Sequence, residues 1–185
     1  TGTLTLGRPE VTDVVVLDAD TPEALLRVAA AVERQSQHPL AQAVVRAAVD
    51  RKLEAPDAGP LESVTARGVR ATVEGELVEI GSTRLWTDRQ IPIPMAIEVT
   101  LDRLQKDGRS TMIVRHGTEW LGVLGLADQP RPEVRAVLEQ LRALSLRPLV
   151  MLTGVNRGVA EAVARAIGMD DVRSDLLPED KVNAI

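Results

Sequence analysis

The chain has 185 residues, of which 44% are hydrophobic and 26% charged. That composition belongs to a folded globular protein and not to a disordered one. A formal net charge of −5 argues against nucleic acid or an anionic membrane surface as the main partner. Cysteine is absent, which excludes disulfides, thiolate metal sites and cysteine nucleophiles.

A prior of roughly 150 residues per domain allows one large domain or two small ones. Phe and Tyr are also absent, so Trp86, Trp120, His38 and His116 are the only ring-bearing side chains besides proline. The core must be built from Leu, Val, Ile and Ala. Lysine occurs only at Lys52, Lys106 and Lys181 in a chain otherwise rich in arginine. Thr1 to Arg8 lacks the apolar run and basic lead-in of a signal peptide. No window approaches the ~20 apolar residues of a membrane helix. A start without Met and an end in a helical pattern at Asn183-Ala184-Ile185 point to a piece of something longer.

In chain order, Val11 to Leu17 is rich in β-branched residues and predicts a strand. Asp20 or Thr21 with Pro22 opens a helix whose inward face is Leu25, Val28, Ala29 and Val32 and which ends near Ser36. His38-Pro39 restarts a second helix. Pro56 to Pro60 is a loop. Val69, Ala71 and Val73 alternate with polar residues, turn at Glu74-Gly75-Glu76 and return through Leu77 to Ile80, which predicts a hairpin closed by Gly81-Ser82. Ile91 to Pro94 is an extended linker, and Met95 to Lys106 a helix stopped by Gly108. Two more strands follow at Thr111 to Arg115 and Trp120 to Leu126. After Asp128 the pattern changes. A helix opened by Pro132, an apolar strand over Pro148 to Leu152, a helix over Asn156 to Ile167, a short strand at Val172 and a helix at Pro178 or Glu179 alternate as βαβ units do. The fold class expected is α/β in two parts, a mixed part with an antiparallel sheet flanked by helices and a parallel Rossmann-like part.

Several residues stand where chemistry could occur. Thr153-Gly154 ends a buried strand before a helix, where free N–H groups can meet an anion, or forms a plain turn. Lys181 is a cation aimed at a phosphoryl group or a solvated lysine. His38 is an imidazole set against a planar ligand or a residue that starts a helix. Gly68, Gly75 and Gly81 are turn glycines or points of close nucleotide approach. Trp86 and Trp120 read as core or half-buried fillers.

Taken together these segments resemble the heavy-metal-transporting P-type ATPases. Thr1-Gly2-Thr3-Leu4-Thr5 resembles the tail of Asp-Lys-Thr-Gly-Thr-Leu-Thr, and Ser36-Gln37-His38-Pro39-Leu40 the Ser-Glu-His-Pro-Leu box. Ala66-Arg67-Gly68-Val69 resembles Gly-x-Gly-Val, and Thr153-Gly154-Val155-Asn156 resembles Thr-Gly-Asp-Asn. Pro178-Glu179-Asp180-Lys181 resembles Pro-x-x-Lys. The resemblance implies a nucleotide-binding domain over residues 9–125, inserted in part of a haloacid-dehalogenase-like phosphorylation domain over 1–8 and 126–185. It implies ATP held at Gln37, His38, Gly68 and Gly81, and a phosphoryl group surrounded by Thr3, Thr153, Gly154 and Lys181. The Thr1 carbonyl would help hold Mg²⁺. The implied partners are ATP, the protein's own transmembrane part and a cation such as zinc, cadmium or cobalt, which the wording of residues 176–181 favours over copper. The implied place is the cytoplasmic face of the cell membrane. Val155, Gln37 and Ala66 depart from the family pattern, and the aspartyl nucleophile would precede Thr1. The alternatives are a catalytically silent nucleotide-binding module and a haloacid-dehalogenase-like phosphatase.

Overall fold

The computed structural model describes residues 2–17, 21–155, 157–176 and 178–184. They form eight strands and seven helices, divided between two compact units. Unit 1 comprises Thr1–Arg8, Leu104–Ser110 and Asp128–Ile185, and unit 2 comprises Pro9–Arg103 and Thr111–Ala127. Leu104–Ser110, expected within the inserted part, thus groups with unit 1. One local reason is Gly108, whose positive φ of 77° turns its bare Cα against Ala162, where a Cβ would collide.

Unit 2 is built on an antiparallel sheet. Strands β1 (Thr5–Val16), β2 (Glu62–Val64), β3 (Gly68–Val73), β4 (Glu76–Gly81), β5 (Ser110–His116) and β6 (Glu119–Pro130) are ordered β1-β6-β5-β4-β3-β2. The β3–β4 hairpin forms as expected, with Ala71 opposite Val78 and Val73 opposite Glu76, so that Glu76, expected in the turn, already belongs to β4. Strand β1 starts at Thr5, six residues before the β-branched run that predicted it. Strand β2, too short and polar to show in the pattern, is held by pairs such as Ser63 with Val69.

Helices α1 (Pro22–Glu33) and α2 (Pro39–Asp50) cover one face. Thr21 caps α1 by accepting the Ala24 N–H at 3.1 Å, with Pro22 at the first helical position. Asp20, the other candidate cap, lies outside the described residues. Leu25, Leu26, Ala29 and Val32 pack with Val44, Ala71, Val78, Ile80, Val114 and Leu124 in one aliphatic core. The other face of β4 carries Glu79, which is 2% exposed and opposes Arg70 and Arg115 in the flanking strands. Arg89 Nη1 lies 2.8 Å from Glu79 Oε1 but off the hydrogen-bond direction, and Arg115 Nη1 lies 3.5 Å from Oε2. Arg89 follows α3 (Arg84–Thr87), a short helix not legible in the pattern, and its Nε also donates to the Leu85 carbonyl. Trp86 is fully buried and lies 5.1 Å from the ring of half-buried Trp120, over which the Arg115 guanidinium sits at 5.2 Å. Helix α4 (Met95–Lys106) follows the linker as expected.

In unit 1, strands β7 (Val150–Leu152) and β8 (Asp171–Arg173) pair in parallel and are joined by α6 (Arg157–Ile167). Helix α5 (Val134–Ala143) begins two residues after Pro132, and α7 (Pro178–Asn183) is a short last helix. Met151, Ala160 and Ala164 form one buried cluster and Val134, Leu138 and Ile167 another, with Leu4 against both. Arginines replace aromatic bulk as fasteners. Arg135 donates to the Ala166 carbonyl and Arg142 to that of Gly168, so both cap the end of α6. Asp170 accepts from the Leu149 N–H at 2.8 Å and from Arg142 at 2.9 Å. These donors hold its carboxyl below the usual carboxylate range.

Strand β7 is three residues long and pairs with β8, whereas β3 is hydrogen-bonded on both sides, by β2 and β4. Amides of residues 149–152 are therefore expected to exchange with solvent faster than those of 69–73. Residue-resolved hydrogen exchange checks this, and the reverse order would overturn the assignment of lower local stability to unit 1.

Candidate functional site

The corner between α1 and α2 is fixed by short polar bonds. The Ser36 N–H donates to the Glu33 carbonyl at 2.9 Å, and the Ser36 carbonyl accepts the Gln42 side-chain amide at 2.6 Å. Ser36 Oγ accepts the His38 N–H at 3.3 Å. His38 is the N-cap of α2, with φ −66° and ψ 137°, and its Nδ1 accepts the Leu40 N–H at 3.2 Å. This bond selects the neutral tautomer whose proton is on Nε2, and the ring is exposed beside exposed Gln37. His38 is thus both a helix-start residue and a surface ring with one free donor.

Glu33, at the end of α1, was not legible as a site residue. It is 2% exposed, and burial pushes its carboxyl up to about 7. A single acidic residue closing the apolar run of α1 was the signal that could have found it. The corner therefore offers a buried carboxyl able to donate or accept, and an imidazole N–H.

Gly68 and Gly81 are brought face to face across the β3–β4 ladder. A Cβ on Gly68 would overlap the Ile80 carbonyl, and one on Gly81 the Arg67 carbonyl. Their bareness thus serves close strand approach, whatever else the exposed backbone of the preceding turn meets. Ala66, in that turn, has φ 57°, a conformation that strains a residue with a Cβ. Arg67 Nε bonds Asp88 at 2.6 Å, which fixes the turn.

Within unit 1 the structure draws two distant segments together. Leu4 and Val155 pack on the same Met151–Ala160–Ala164 cluster, which sets exposed Thr3 and the Thr153–Val155 turn on one body. Thr153 is 7% exposed, and its Oγ1 accepts the Val155 N–H at 3.2 Å. Its backbone bonds to Arg173 and Leu176 tie the turn to the segment after β8. Gly154 lies exposed beside the Leu176 carbonyl. Lys181 is half-buried on α7. Thr1, Asn156 and Leu177 lie outside the described residues.

Two further side chains act on the Thr3 segment without a sequence signal. Asp128 Oδ2 accepts the Thr5 hydroxyl at 2.6 Å and the Gly7 N–H at 3.2 Å, and its Oδ1 accepts the Arg8 N–H at 3.1 Å. Arg131 Nε donates to the Thr3 carbonyl and Nη2 to that of Gly2, both at 3.1 Å. Among the described residues, no group of three or more His, Asp or Glu is placed to hold a metal ion. No helix among them is long and apolar enough to cross a membrane.

With this geometry in place, the whole chain, residues 1–185, matches the family described as haloacid dehalogenase-like hydrolase, and it belongs to that family. Its relatives are heavy-metal P-type ATPases. It is 35% identical over 186 residues to a manganese-exporting P-type ATPase of Mycobacterium tuberculosis (strain ATCC 25618 / H37Rv), covering 100% of this chain and 26% of that protein. To a probable cadmium-transporting ATPase of Staphylococcus aureus (strain MRSA252) it is 35% identical over 189 residues, with the same coverage of 100% and 26%. Among solved structures, a zinc-transporting PIB-type ATPase in the E2.Pi state matches with a TM-score of 0.78 at 34% identity, covering 100% of this chain and 29% of that one. The chain therefore spans 26% of the length of these two curated relatives.

The raised carboxyl of Glu33 has a measurable consequence. Unfolded, a glutamate ionises near 4.5, whereas in the fold it ionises near 7. The unfolded chain thus releases this proton first as pH rises, so Glu33 lowers stability progressively from pH 4.5 to pH 7 and fully above it. The span corresponds to about 3 kcal/mol. Glu33→Gln should match the wild type in melting temperature near pH 4.5 and exceed it at pH 8. A pH-independent difference would contradict a buried, neutral Glu33.

Proposed function

We propose that the chain is the ATP-binding headpiece of an ATP-driven heavy-metal cation pump that works through an aspartyl-phosphate. In this reading unit 2 is the nucleotide-binding domain and unit 1 is part of the phosphorylation domain. The observation that carries it is the shared packing of Leu4 and Val155, which gathers the Thr3 segment and the Thr153–Val155 turn from opposite ends of the sequence. A turn after a parallel strand, with a hydroxyl, a bare Gly154 and a backbone bond to Leu176, five residues before Lys181, suits an anion such as a phosphoryl group. Thr3, Thr153, Gly154 and Lys181 are its proposed surroundings.

The adenosine part of ATP is proposed to lie at the α1–α2 corner and the β2–β3 turn, with Gln37, His38, Gly68 and Gly81 as its neighbours. The residues fit a purine. The Nε2–H of His38 is a donor on an exposed flat ring, and the carboxyl of Glu33, pushed up to about 7 by burial, donates as well as accepts wherever it keeps its proton. Magnesium rests on the resemblance alone, through the Thr1 carbonyl, because the described residues gather no ligand cluster. Phosphoryl transfer needs positioning and charge neutralisation, which these groups supply, and an aspartate nucleophile that the resemblance places before Thr1. The transported cation is proposed to be a heavy metal of the zinc, cadmium or cobalt kind, and the partner the pump's own membrane part. The relatives' names extend that range to manganese and copper. A location on the cytoplasmic face of the membrane follows from this reading. One observation favours the second reading, a catalytically silent nucleotide-binding module. Val155 is half-buried against apolar neighbours where the family carries Asp.

Calorimetric titration of the chain with ATP should give a saturable isotherm of micromolar to millimolar affinity, roughly −8 to −4 kcal/mol. Steady phosphate release from the chain alone would overturn the assignment of the nucleophile outside it. His38→Ala should weaken binding about tenfold and, by removing the helix cap, cost about 1 kcal/mol of stability. His38→Asn should restore the cap and the melting temperature but not the affinity. An Asn variant that binds ATP like the wild type would reduce His38 to a helix-start residue.

A further inference from the structure

The end of β6 and the residue that follows it hold the Gly2–Arg8 segment by five bonds from two side chains, those of Asp128 and Arg131. The Asp128 carboxylate takes the Thr5 hydroxyl and the Gly7 and Arg8 N–H groups. Arg131 spans the consecutive carbonyls of Gly2 and Thr3 and is braced by Glu133 at 3.9 Å. A third strap is backbone, from the Arg131 N–H to the Leu4 carbonyl at 3.0 Å. The Thr5 hydroxyl in turn accepts the Gly2 N–H at 3.1 Å, so the chain from Gly2 to Arg8 is bonded along its length. Thr5 is 7% exposed, and a buried hydroxyl between a carboxylate and an N–H has one orientation that satisfies both.

We infer that Asp128 and Arg131 are positioning residues for phosphoryl transfer. They set the backbone of the segment that directly follows the aspartate nucleophile, without touching nucleotide themselves. This inference rests on the proposed pump reading. In the transfer, a carboxylate oxygen of that aspartate forms a bond to the γ-phosphorus of ATP, the bond from phosphorus to the β–γ bridging oxygen breaks, and ADP leaves. The attack geometry tolerates little displacement, since a shift of about 1 Å costs on the order of a hundredfold in rate. A guanidinium that grips two successive carbonyls is suited to that task, because its planar fork fixes both at once. A lysine, with a point charge on a flexible stem, holds one carbonyl without setting the angle of the next.

The test uses the full-length protein that carries this chain, with radiolabelled ATP, magnesium and, in parallel reactions, zinc, cadmium, cobalt, manganese and copper. Four variants are compared with the wild type. Arg131→Lys keeps charge and stem, and Arg131→Ala removes both. Thr5→Val keeps shape without the hydroxyl, and Thr5→Ser keeps the hydroxyl. Phosphoenzyme formation is expected to slow tenfold or more in Arg131→Lys, Arg131→Ala and Thr5→Val and to stay near wild type in Thr5→Ser, with ATP affinity unchanged in all four. Exchange of amides 149–152, in the unit that carries residues 5 and 131, reports whether the fold around them survives each change. Wild-type rates in Arg131→Lys and Thr5→Val would overturn the inference, as would a rate loss matched by an equal loss of ATP affinity. A wild-type protein that forms no labelled phosphoenzyme would instead overturn the pump reading itself.

Discussion

The constraint on which the rest of unit 2 depends is a core that must close without Phe or Tyr. Aliphatic and alanine side chains are short, so helix and sheet must approach closely to exclude water and reach the packing density of a protein interior. Helix α1 supplies Ala29, Ala30 and Ala31 in succession, and each is 2% exposed or less. Within the sheet, Gly68 and Gly81 let β3 and β4 close on one another. Close approach also leaves no room for error at the corners, which are accordingly fixed by polar bonds, from Thr21 at the first helix and from Ser36, Gln42 and His38 at the second.

The same constraint explains where charge is buried. With a single large aromatic in the interior, the second face of the sheet uses an ion cluster, Glu79 with Arg89 and Arg115, as filler and fastener around Trp86. Such clusters are weak sources of stability, and losing one partner is costly because the remaining charge stays buried. Unit 1 applies a related solution at its surface, where Arg135 and Arg142 close the end of α6 on its carbonyls. The arginine bias of the composition thus has a structural use in both units, since a guanidinium spans a distance and satisfies several acceptors at once.

The regular elements were legible because period and punctuation agreed. The β3–β4 hairpin followed from the alternation of Val69, Ala71 and Val73 with a glycine turn, and α1 and α2 from Pro22 and Pro39. What escaped was short or held by tertiary bonds. Strand β2 is three residues, two of them polar, stabilised by its neighbour, and α3 is a single turn anchored by Arg89. The early start of β1 has no hydrophobic signature, since Thr5, Gly7 and Arg8 are held by the distant carboxylate of Asp128. Candidate site residues in local boxes, such as His38 and Thr153, could be singled out because their neighbours carry helix and strand signals. Asp128 and Arg131 could not, because long-range hydrogen bonds give them their roles and a linear pattern carries none, whereas Glu33 left only the trace of one acidic residue closing the apolar run of α1.

The two tryptophans, Trp86 and Trp120, both lie in unit 2, and tyrosine is absent from the chain. Every side chain that absorbs and emits in the near ultraviolet therefore belongs to one unit, while the other is optically silent. Intrinsic fluorescence of this protein is a domain-selective signal. An unfolding curve recorded by emission follows the tryptophan-bearing unit alone, whereas one recorded by backbone circular dichroism sums both, and the separation between the two curves measures directly how far the units unfold independently.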